Sequence, residues 1–379
     1  MRQCNLSVLS ATFAGCAYTF ENSAFPVVLT LFVKDGLIES DRALVLASAF
    51  NALLVIGLLT GISLNRRFVL HYSYMLGLGL FLVGGLLFCF AMSPTGMLAG
   101  RLLQGAGAGL FSPLIPVLLY SSSHKRRNSR LSIWAASTGI VGFTAPFFAS
   151  IVGVSYSWRI VWMTLCVLTL ISLSIGLRGG TRFSFPKVEA KHSVEMKQLW
   201  SIPVLSILAY IFVMYGLISS MLYSLPDKTA LSGSDPLRIG MVSAAPWIFF
   251  SISCYVIGKV EKISLNAILI VGAVILASSL ALSSSGVGSQ PIWLLACAAS
   301  IGVSMAFANV PTTMIAFSLV KENLRGVVSS LDILAARSGA VFFLTFHSQS
   351  APNAALLAAA VLTAFACVAF LPKRYPTGR

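Results

Sequence analysis

Four charged side chains lie deep inside long apolar runs of the sequence: Glu21, Arg101, Asp332 and Arg337. A charged side chain at the centre of a bilayer costs about 2.5–3.5 kcal/mol, so each of the four should face a partner or a water-filled cavity. A carboxylate in such a place can bind and release a proton, and a nearby arginine changes how readily it does so. The residue types therefore predict proton binding or ion pairing.

The runs that carry these residues are long enough to cross a membrane. The 379-residue chain is 57% hydrophobic and only 10% charged, whereas soluble domains carry about 25% charged residues. A soluble helical protein is disfavoured because the apolar runs recur from end to end and exceed the roughly 18 residues of a bilayer span. Twelve transmembrane helices are predicted, at 6–33, 43–64, 68–92, 95–121, 131–154, 158–178, 200–224, 238–258, 263–283, 291–319, 326–348 and 352–371.

Basic residues are distributed unequally between alternate loops. Nineteen of the 26 Lys and Arg residues fall on the side that holds both termini, five on the opposite side and two within spans. The positive-inside rule then predicts that both termini are cytoplasmic. Because the basic residues sit in these short loops, the formal charge of +15 indicates membrane topology and not a nucleic-acid partner.

The chain also shows a weak internal repeat. Gly107 and Pro116 recur as Gly302 and Pro311, each pair 195 positions apart, and Asn128 and Arg130 recur in the same register as Asn323 and Arg325. Transporters built of two related halves show such repeats. The predicted organisation is an all-α membrane protein with an N-terminal six-helix bundle at 1–178, a cytoplasmic linker at 179–199 and a pseudo-symmetric C-terminal six-helix bundle at 200–379.

Motifs in the N-terminal half resemble those of a known family. The fourth span reads Gly100-Arg101-Leu102-Leu103-Gln104-Gly105-Ala106-Gly107-Ala108-Gly109, which is similar to the R-x-x-Q-G-x-G signature of the major facilitator superfamily (MFS) and its drug/proton antiporters. The loop at 61–67 resembles the family's gating motif, with Asn65 in the acidic position before Arg66, although the later residues of that motif are absent. The run Ala145-Pro146-Phe147-Phe148-Ala149-Ser150 stands where exporters have G-P-x-x-G-G, and Ser157-Trp158-Arg159 resembles the start of the sixth span of drug exporters.

The resemblance implies the MFS fold, alternating access between the two bundles and a role in proton coupling for the arginine at position 101. We hypothesise that Glu21 binds the proton and that Arg101 controls its release. The alternative is a buried Glu–Arg pair that only fixes helices. Gly105 and Gly109, four residues apart, share a helix face and allow close helix packing. Pro146 has no backbone N–H to donate, so it is expected to break the hydrogen-bond ladder of its helix and to serve as a hinge.

The other two buried charges lie on the eleventh span. Asp332 and Arg337 are five residues apart, about 140° around a helix, so they are not expected to pair with each other. Asp332 is interpreted as holding a gate partner on another helix, with proton carriage as the alternative. Arg337 is expected to face the cavity and attract an anionic substrate, or to pair with Glu21. With Asn65 and Arg66, these two residues form the predicted gating or charge network.

Residues on spans 1, 4, 7 and 10 line the substrate cavity in this family. Polar and aromatic residues on those spans are therefore the cavity candidates, with lipid-facing positions as the alternative for the tyrosines. They are Asn22, Gln104, Tyr210, Tyr215, Asn309 and Thr312.

These features predict a proton-coupled exporter of a drug-like compound or a metabolite such as a siderophore, in the inner membrane of a bacterium. The alternative is a proton-coupled symporter for uptake. A membrane enzyme is disfavoured because no catalytic triad, Walker sequence or clustered His and acidic residues occur in the sequence. The seven cysteines are dispersed, so neither a metal nor another cofactor is expected. The expected partners are the substrate, protons and lipid, and the chain is expected to be a monomer.

Overall fold

The computed structural model describes residues 2–36, 38–64, 70–121, 127–178, 195–231, 235–259, 264–284, 291–321, 324–349 and 354–371. Within these ranges the regular structure is entirely helical. The contacts divide the chain into two compact units, Met1–Val188 and Glu189–Arg379.

The first unit is built of long helices, the fourth of which is followed closely by a short one. The helices are α1 (Arg2–Lys34), α2 (Ser40–Leu64), α3 (Leu70–Phe90), α4 (Pro94–Phe111), α5 (Leu114–Ser121), α6 (Arg127–Ser155) and α7 (Trp158–Arg178). The fourth predicted span is thus divided between α4 and α5. The interruption coincides with Pro113, which has no backbone N–H to donate to the preceding turn.

In its described residues, the second unit has a short 3₁₀-helix, Glu195–Trp200, followed by six α-helices. These are α8 (Ile202–Leu231), α9 (Pro236–Lys259), α10 (Leu265–Ser284), α11 (Pro291–Ser318), α12 (Arg325–Gln349) and α13 (Ala354–Ala369). Each of them overlaps one of the predicted spans.

Ten of the described helices are long and apolar enough to cross a membrane. Among the described helices, α4, the short α5 and α13 do not qualify; α13 has 16 described residues. In the ten qualifying helices, side chains such as Phe90, Leu177 and Tyr255 are more than half exposed. Large apolar side chains on the outside of long apolar helices are what a lipid environment favours. The chain is a multi-pass membrane protein.

The same helix pairs pack together in each unit. In the first unit α4 lies against α2 and α3, while α1 packs on α6 and α7. In the second unit α11 lies against α9 and α10, while α8 packs on α12 and α13. The internal repeat of the sequence therefore corresponds to a repeated helix arrangement.

The structural register of this repeat differs slightly from the one in the sequence. A Cβ placed on Gly105 would collide with the carbonyl of Phe50 in α2, and one placed on Gly302 would collide with the carbonyl of Pro246 in α9. Gly302 thus corresponds to Gly105, 197 positions earlier, and not to Gly107. The first residues of α4 and α11, Pro94 and Pro291, are the same distance apart. For Gly107 and Gly302 the spacing of 195 is possible because α4 holds several glycines two residues apart, which allows more than one alignment.

Glycines let α4 approach two neighbouring helices closely. Gly105 and Gly109 face the backbone of α2, while Gly100 and Gly107 face the backbone of α3. A Cβ on Gly107 would lie 2.5 Å from the carbonyl oxygen of Gly77, far inside ordinary van der Waals contact. The close approach on both sides holds Arg101, which α4 carries, in the interior of the first unit.

Candidate functional site

Glu21 of α1 and Arg101 of α4 form a buried ion pair. Arg101 Nη2 donates to Glu21 Oε1 at 2.7 Å. Neither side chain is exposed by more than 1%. The short distance and the charges of both partners make this one of the stronger types of hydrogen bond.

The same guanidinium is held by two further acceptors. Arg101 Nη1 donates to Gln104 Oε1 at 3.2 Å, and Arg101 Nε donates to the backbone carbonyl of Leu46 at 3.4 Å. Gln104 lies one turn after Arg101 on α4, and Leu46 belongs to α2. The arginine therefore connects α1, α2 and α4.

Aromatic rings enclose the guanidinium on the remaining sides. Arg101 Cζ lies 3.7 Å from the ring centroid of Phe25 and 4.4 Å from that of Phe50, with Trp162 at 5.5 Å and Phe88 at 5.8 Å. Cation–π attraction at desolvated sites contributes about 2 kcal/mol. The rings also exclude water from the ion pair, and we refer to these four residues as the aromatic cage.

Each residue of the ion pair compensates the buried charge of the other. Removing one partner of a buried pair typically costs about 3–5 kcal/mol because the other charge is left without compensation. A proton delivered to Glu21 would cancel its charge and weaken its attraction to Arg101. The arrangement can therefore couple the protonation of a carboxylate to the packing of α1 against α4.

From the sequence, Glu21 and Arg101 were predicted to lie within reach of each other but not in contact. Helical rise alone put their depths about 9 Å apart. The structure brings them to hydrogen-bond distance because Arg is long and α4 packs closely on its neighbours. The alternative partner for Glu21, Arg337, belongs to the second unit.

The second unit contains a different polar cluster, which is only half buried. Asn309 Nδ2 of α11 donates to the hydroxyl of Tyr215 on α8 at 2.6 Å. Asp332 and Arg337 of α12 both lie near enough to Tyr215 to interact with it electrostatically. The structure thus brings four predicted site residues together.

Three of the predicted cavity residues donate hydrogen bonds to backbone carbonyls. Asn22 donates to the carbonyl of Tyr18, one turn earlier on α1. Tyr210 is fully buried and donates to the carbonyl of Leu269 at 2.8 Å, which connects α8 to α10. Thr312 is buried and donates to carbonyls of its own helix.

The structure describes the predicted hinge residue but not two of the predicted gating residues. Pro146 is buried within α6, which runs from Arg127 to Ser155 without interruption. Asn65 and Arg66 lie outside the described residues.

Sequence reasoning missed the aromatic cage and the Leu46 carbonyl. Phe25 follows Glu21 by one helical turn, so its presence near the carboxylate could have been found from helical spacing. Phe50, Phe88 and Trp162 come from three other helices, and no local pattern connects them to Arg101.

The described residues contain no group of three or more His, Cys, Asp or Glu side chains that could hold a metal ion.

Curated relatives match parts of the chain. It is 24% identical over 227 residues to the methylenomycin A resistance protein of Bacillus subtilis (strain 168), covering 55% of this chain and 48% of that protein. It is 26% identical over 164 residues to inositol transporter 4 of Arabidopsis thaliana, covering 41% of this chain and 27% of that protein. The chain thus matches less than half the length of each of these relatives.

Solved structures with the same fold cover nearly the whole chain. A D-xylose–proton symporter superposes with a TM-score of 0.72 at 15% identity, covering 97% of both chains. An auto-inhibited POT-family peptide transporter superposes with a TM-score of 0.73 at 12% identity, covering 98% of this chain and 94% of that one. At these identities the likeness concerns the fold alone.

The match to a family extends over most of the sequence. The sequence model of the Major Facilitator Superfamily matches residues 11–344, which include Glu21, Arg101 and the polar cluster of the second unit. The chain belongs to the Major Facilitator Superfamily.

Proposed function

We propose that the chain is a secondary transporter that exports a small organic molecule from the cytoplasm in exchange for protons. The observation that carries this proposal is the Glu21–Arg101 ion pair, a titratable carboxylate held at 2.7 Å from an arginine deep within the first unit. The proposal assigns the chain to a bacterial inner membrane with both termini in the cytoplasm. It has no catalytic role and acts as a monomer.

In the proposed cycle Glu21 is the proton-binding group. The closed pair is fully buried, so a proton reaches the carboxylate only when the packing around it opens to water. Protonation removes the negative charge, and Arg101 then keeps Gln104, the Leu46 carbonyl and the aromatic cage as its partners. When the proton leaves toward the cytoplasm, the ion pair forms again. This alternation is the coupling step of the proposal.

Other predicted residues take supporting roles in this proposal. Asn22, Gln104, Tyr215, Asn309 and Thr312 contribute to substrate binding, whereas Tyr210 acts by holding α8 in place. The gating network of the proposal consists of Asn65, Arg66, Asp332 and Arg337. The close packing at Gly105 and Gly109 together with Pro146 allows the helices to move as a unit.

Export is favoured over uptake by two observations. The R-x-x-Q-G signature at Arg101 is typical of drug/proton antiporters. A relative over 55% of the chain is, by its name, a resistance protein. The alternative, proton-coupled uptake, is favoured by the similarity to an inositol transporter over 41% of the chain.

Membrane vesicles of opposite orientation distinguish the two directions. Everted and right-side-out vesicles containing the protein are given a pH gradient and labelled methylenomycin A or inositol. Export predicts that methylenomycin A accumulates in everted vesicles whose interior is acidic. Accumulation of inositol in right-side-out vesicles with an acidic exterior would instead support uptake. Vesicles without the protein provide the background.

A further inference from the structure

Two buried N–H groups beside Arg101 have no hydrogen-bond acceptor in the described part of the chain. They are Nε2 of Gln104 on α4 and Nε1 of Trp162 on α7. Both side chains are fully buried, so bulk water does not reach them. A buried donor left without an acceptor costs about 1–3 kcal/mol, and most buried polar atoms of folded proteins have a partner. Each of the two groups therefore requires an acceptor.

The side-chain amide of Gln104 faces two different neighbours. Its Oε1 accepts from Arg101 Nη1 at 3.2 Å, whereas its Nε2 faces α3 and α7. A Cβ placed on Gly85 of α3 would lie 3.0 Å from Gln104 Nε2 and 3.0 Å from Cys166 Sγ of α7. Trp162 is one turn before Cys166 on the same helix. Gln104 Nε2 and Trp162 thus border one junction, between α3, α4 and α7.

Trp162 contributes more than packing to this junction. Its ring centroid lies 4.9 Å from that of Phe88 and 5.4 Å from that of Phe25, and 5.5 Å from Arg101 Cζ. Phenylalanine would supply such contacts without an N–H group, and a buried indole N–H usually has an acceptor. Both terminal nitrogens of Arg101 also carry a second hydrogen, beyond the one that each donates in the described hydrogen bonds. The junction is therefore rich in donors and poor in acceptors.

A water molecule has the chemistry that this junction requires. Its oxygen accepts hydrogen bonds from N–H groups, and buried waters in proteins typically make about three hydrogen bonds to polar groups that lack other partners. A chloride ion would also accept from N–H groups. However, Glu21 already neutralises the charge of Arg101, so the interior does not favour a further negative charge. Water is the acceptor that fits both the donors and the charge.

A proton that arrives at this junction has one carboxylate within reach. Glu21 carries the only carboxylate in the described helices α1, α3, α4, α6 and α7, and the charged residues of α2 and α6 lie in their first turns. The titratable neighbours on α3 and α7 are Cys89, Cys166 and Arg159. Thiols and arginine already hold their protons at neutral pH. Glu21 is therefore the group that can accept the proton.

We propose that Gln104 Nε2 and Trp162 Nε1 bind a buried water molecule, and that this water passes the proton to Glu21 when the ion pair opens. The second half of this inference rests on the proposed transport function, whereas the water site does not depend on it. The water lies on the side of Gln104 away from Arg101, so the aromatic cage still separates it from the closed ion pair. In the transfer, the water gives one hydrogen to a carboxylate oxygen of Glu21 and receives a proton from bulk water. The water is unchanged, and the negative charge of the carboxylate is cancelled.

Hydroxyl-radical labelling of the purified full-length protein tests the water site without a transport measurement. Radicals that an X-ray pulse forms from a bound water oxidise the side chains beside it, and mass spectrometry identifies those residues. Trp162 and Cys166 are expected to be oxidised although both are buried. Tyr210 is the matched control, because it is equally buried but its hydroxyl already donates to the carbonyl of Leu269. Labelling of Trp162 no greater than that of Tyr210 would overturn the proposal.

Variants assign the water to its two donors. Trp162→Phe removes the indole N–H but keeps an aromatic ring, and Gln104→Met removes the amide at similar length. Each is expected to lower the labelling rate of Cys166 several-fold, because the water loses one of its about three hydrogen bonds. Phe88→Leu removes a neighbouring ring and keeps both N–H groups, so labelling of Cys166 should persist in this control. Unchanged or stronger labelling of Cys166 in folded Trp162→Phe and Gln104→Met proteins would contradict the water site.

Transport in proteoliposomes tests the role of the water in proton transfer. Trp162→Phe is expected to slow pH-driven accumulation more than exchange at equal pH, because only the proton step uses the water. Equal slowing of both would show that the water has a structural role alone. Glu21→Gln is expected to keep the labelling of Trp162 and Cys166. A natural protein that is labelled at these residues but shows no pH-driven transport would refute the transport proposal and leave the water site intact.

Discussion

Helices α4 and α11 occupy equivalent places in the two units but carry different chemistry. Each packs between the second and third helices of its unit, and each places a glycine, Gly105 or Gly302, against a carbonyl of the second helix. With the spacing of 197 between them, Arg101 corresponds to Ala298. Gln104 corresponds to Ile301, and both residues of α11 are fully buried in the apolar core.

The comparison of α4 with α11 distinguishes the packing that both units share from the ion pair that is found in the first unit. Close helix packing at a glycine is common to both units, so it belongs to the shared scaffold. A buried arginine is not needed for this packing, because α11 achieves it with Ala298. Arg101 and Glu21 are therefore a local feature of the first unit, and the shared helix packing does not require the cost of burying their charges.

Breaking the ion pair should have the largest effect. Arg101→Leu leaves Glu21 buried without its counter-charge, so we expect a loss of about 3–5 kcal/mol in the free energy of unfolding, measured by denaturant titration in detergent. The double variant Glu21→Leu/Arg101→Leu is expected to regain most of this stability, because an apolar pair resembles the core of the second unit. It should nevertheless be inactive in pH-driven transport. An active double variant would show that the pair serves only to fix helices.

Glycine substitutions test the shared scaffold. Gly105→Ala and Gly302→Ala each place a Cβ against a backbone carbonyl, and such overpacking costs about 1–3 kcal/mol. Both are expected to lower the thermal unfolding temperature to a similar degree. Gly79→Ala is the matched control in α3, since no atom of a neighbouring helix lies within 4 Å of the place that its Cβ would take. A large loss for Gly105→Ala without one for Gly302→Ala would contradict the correspondence of α4 and α11.

The smallest losses of stability are expected from replacing basic residues that donate hydrogen bonds to the carbonyls at the end of a helix. Arg159 donates to the carbonyls of Cys89 and Ala91 at the end of α3, and Lys228 donates to the carbonyl of Ser283 at the end of α10. Both positions favour positive charge because of the helix dipole. Arg159→Met and Lys228→Met should each cost about 0.3–1 kcal/mol, measured by denaturant titration. Arg238→Met, at an exposed position in the first turn of α9, is the control and should change stability little.

Most of the fold could be predicted from the sequence because a bilayer imposes simple rules. Apolar runs of sufficient length predicted the helices, since lipid leaves few other ways to satisfy backbone hydrogen bonds. The division of the fourth span at Pro113 was missed, because proline is often tolerated within membrane helices, as Pro146 is within α6. Gly302 was aligned with Gly107 and not with Gly105 because glycines alternate along α4.

The candidate site could be predicted only in part. Glu21 and Arg101 were recognisable because charge is costly inside an apolar run. Their direct contact and the aromatic cage depend on how α1, α2, α3 and α7 pack around α4, and this is not encoded locally. The grouping of Tyr215 with Asn309 was likewise beyond reach, since 94 positions separate them.

The role of Glu21 in proton coupling is tested most directly in proteoliposomes with purified protein. Exchange at equal pH and accumulation driven by a pH gradient are measured with the labelled compound that the membrane vesicles accumulate, for the natural protein, Glu21→Gln and Glu21→Asp. We predict that Glu21→Gln retains exchange but loses gradient-driven accumulation, whereas Glu21→Asp, which keeps a carboxylate, retains part of both. Gradient-driven accumulation by Glu21→Gln at the level of the natural protein would contradict the proposed coupling.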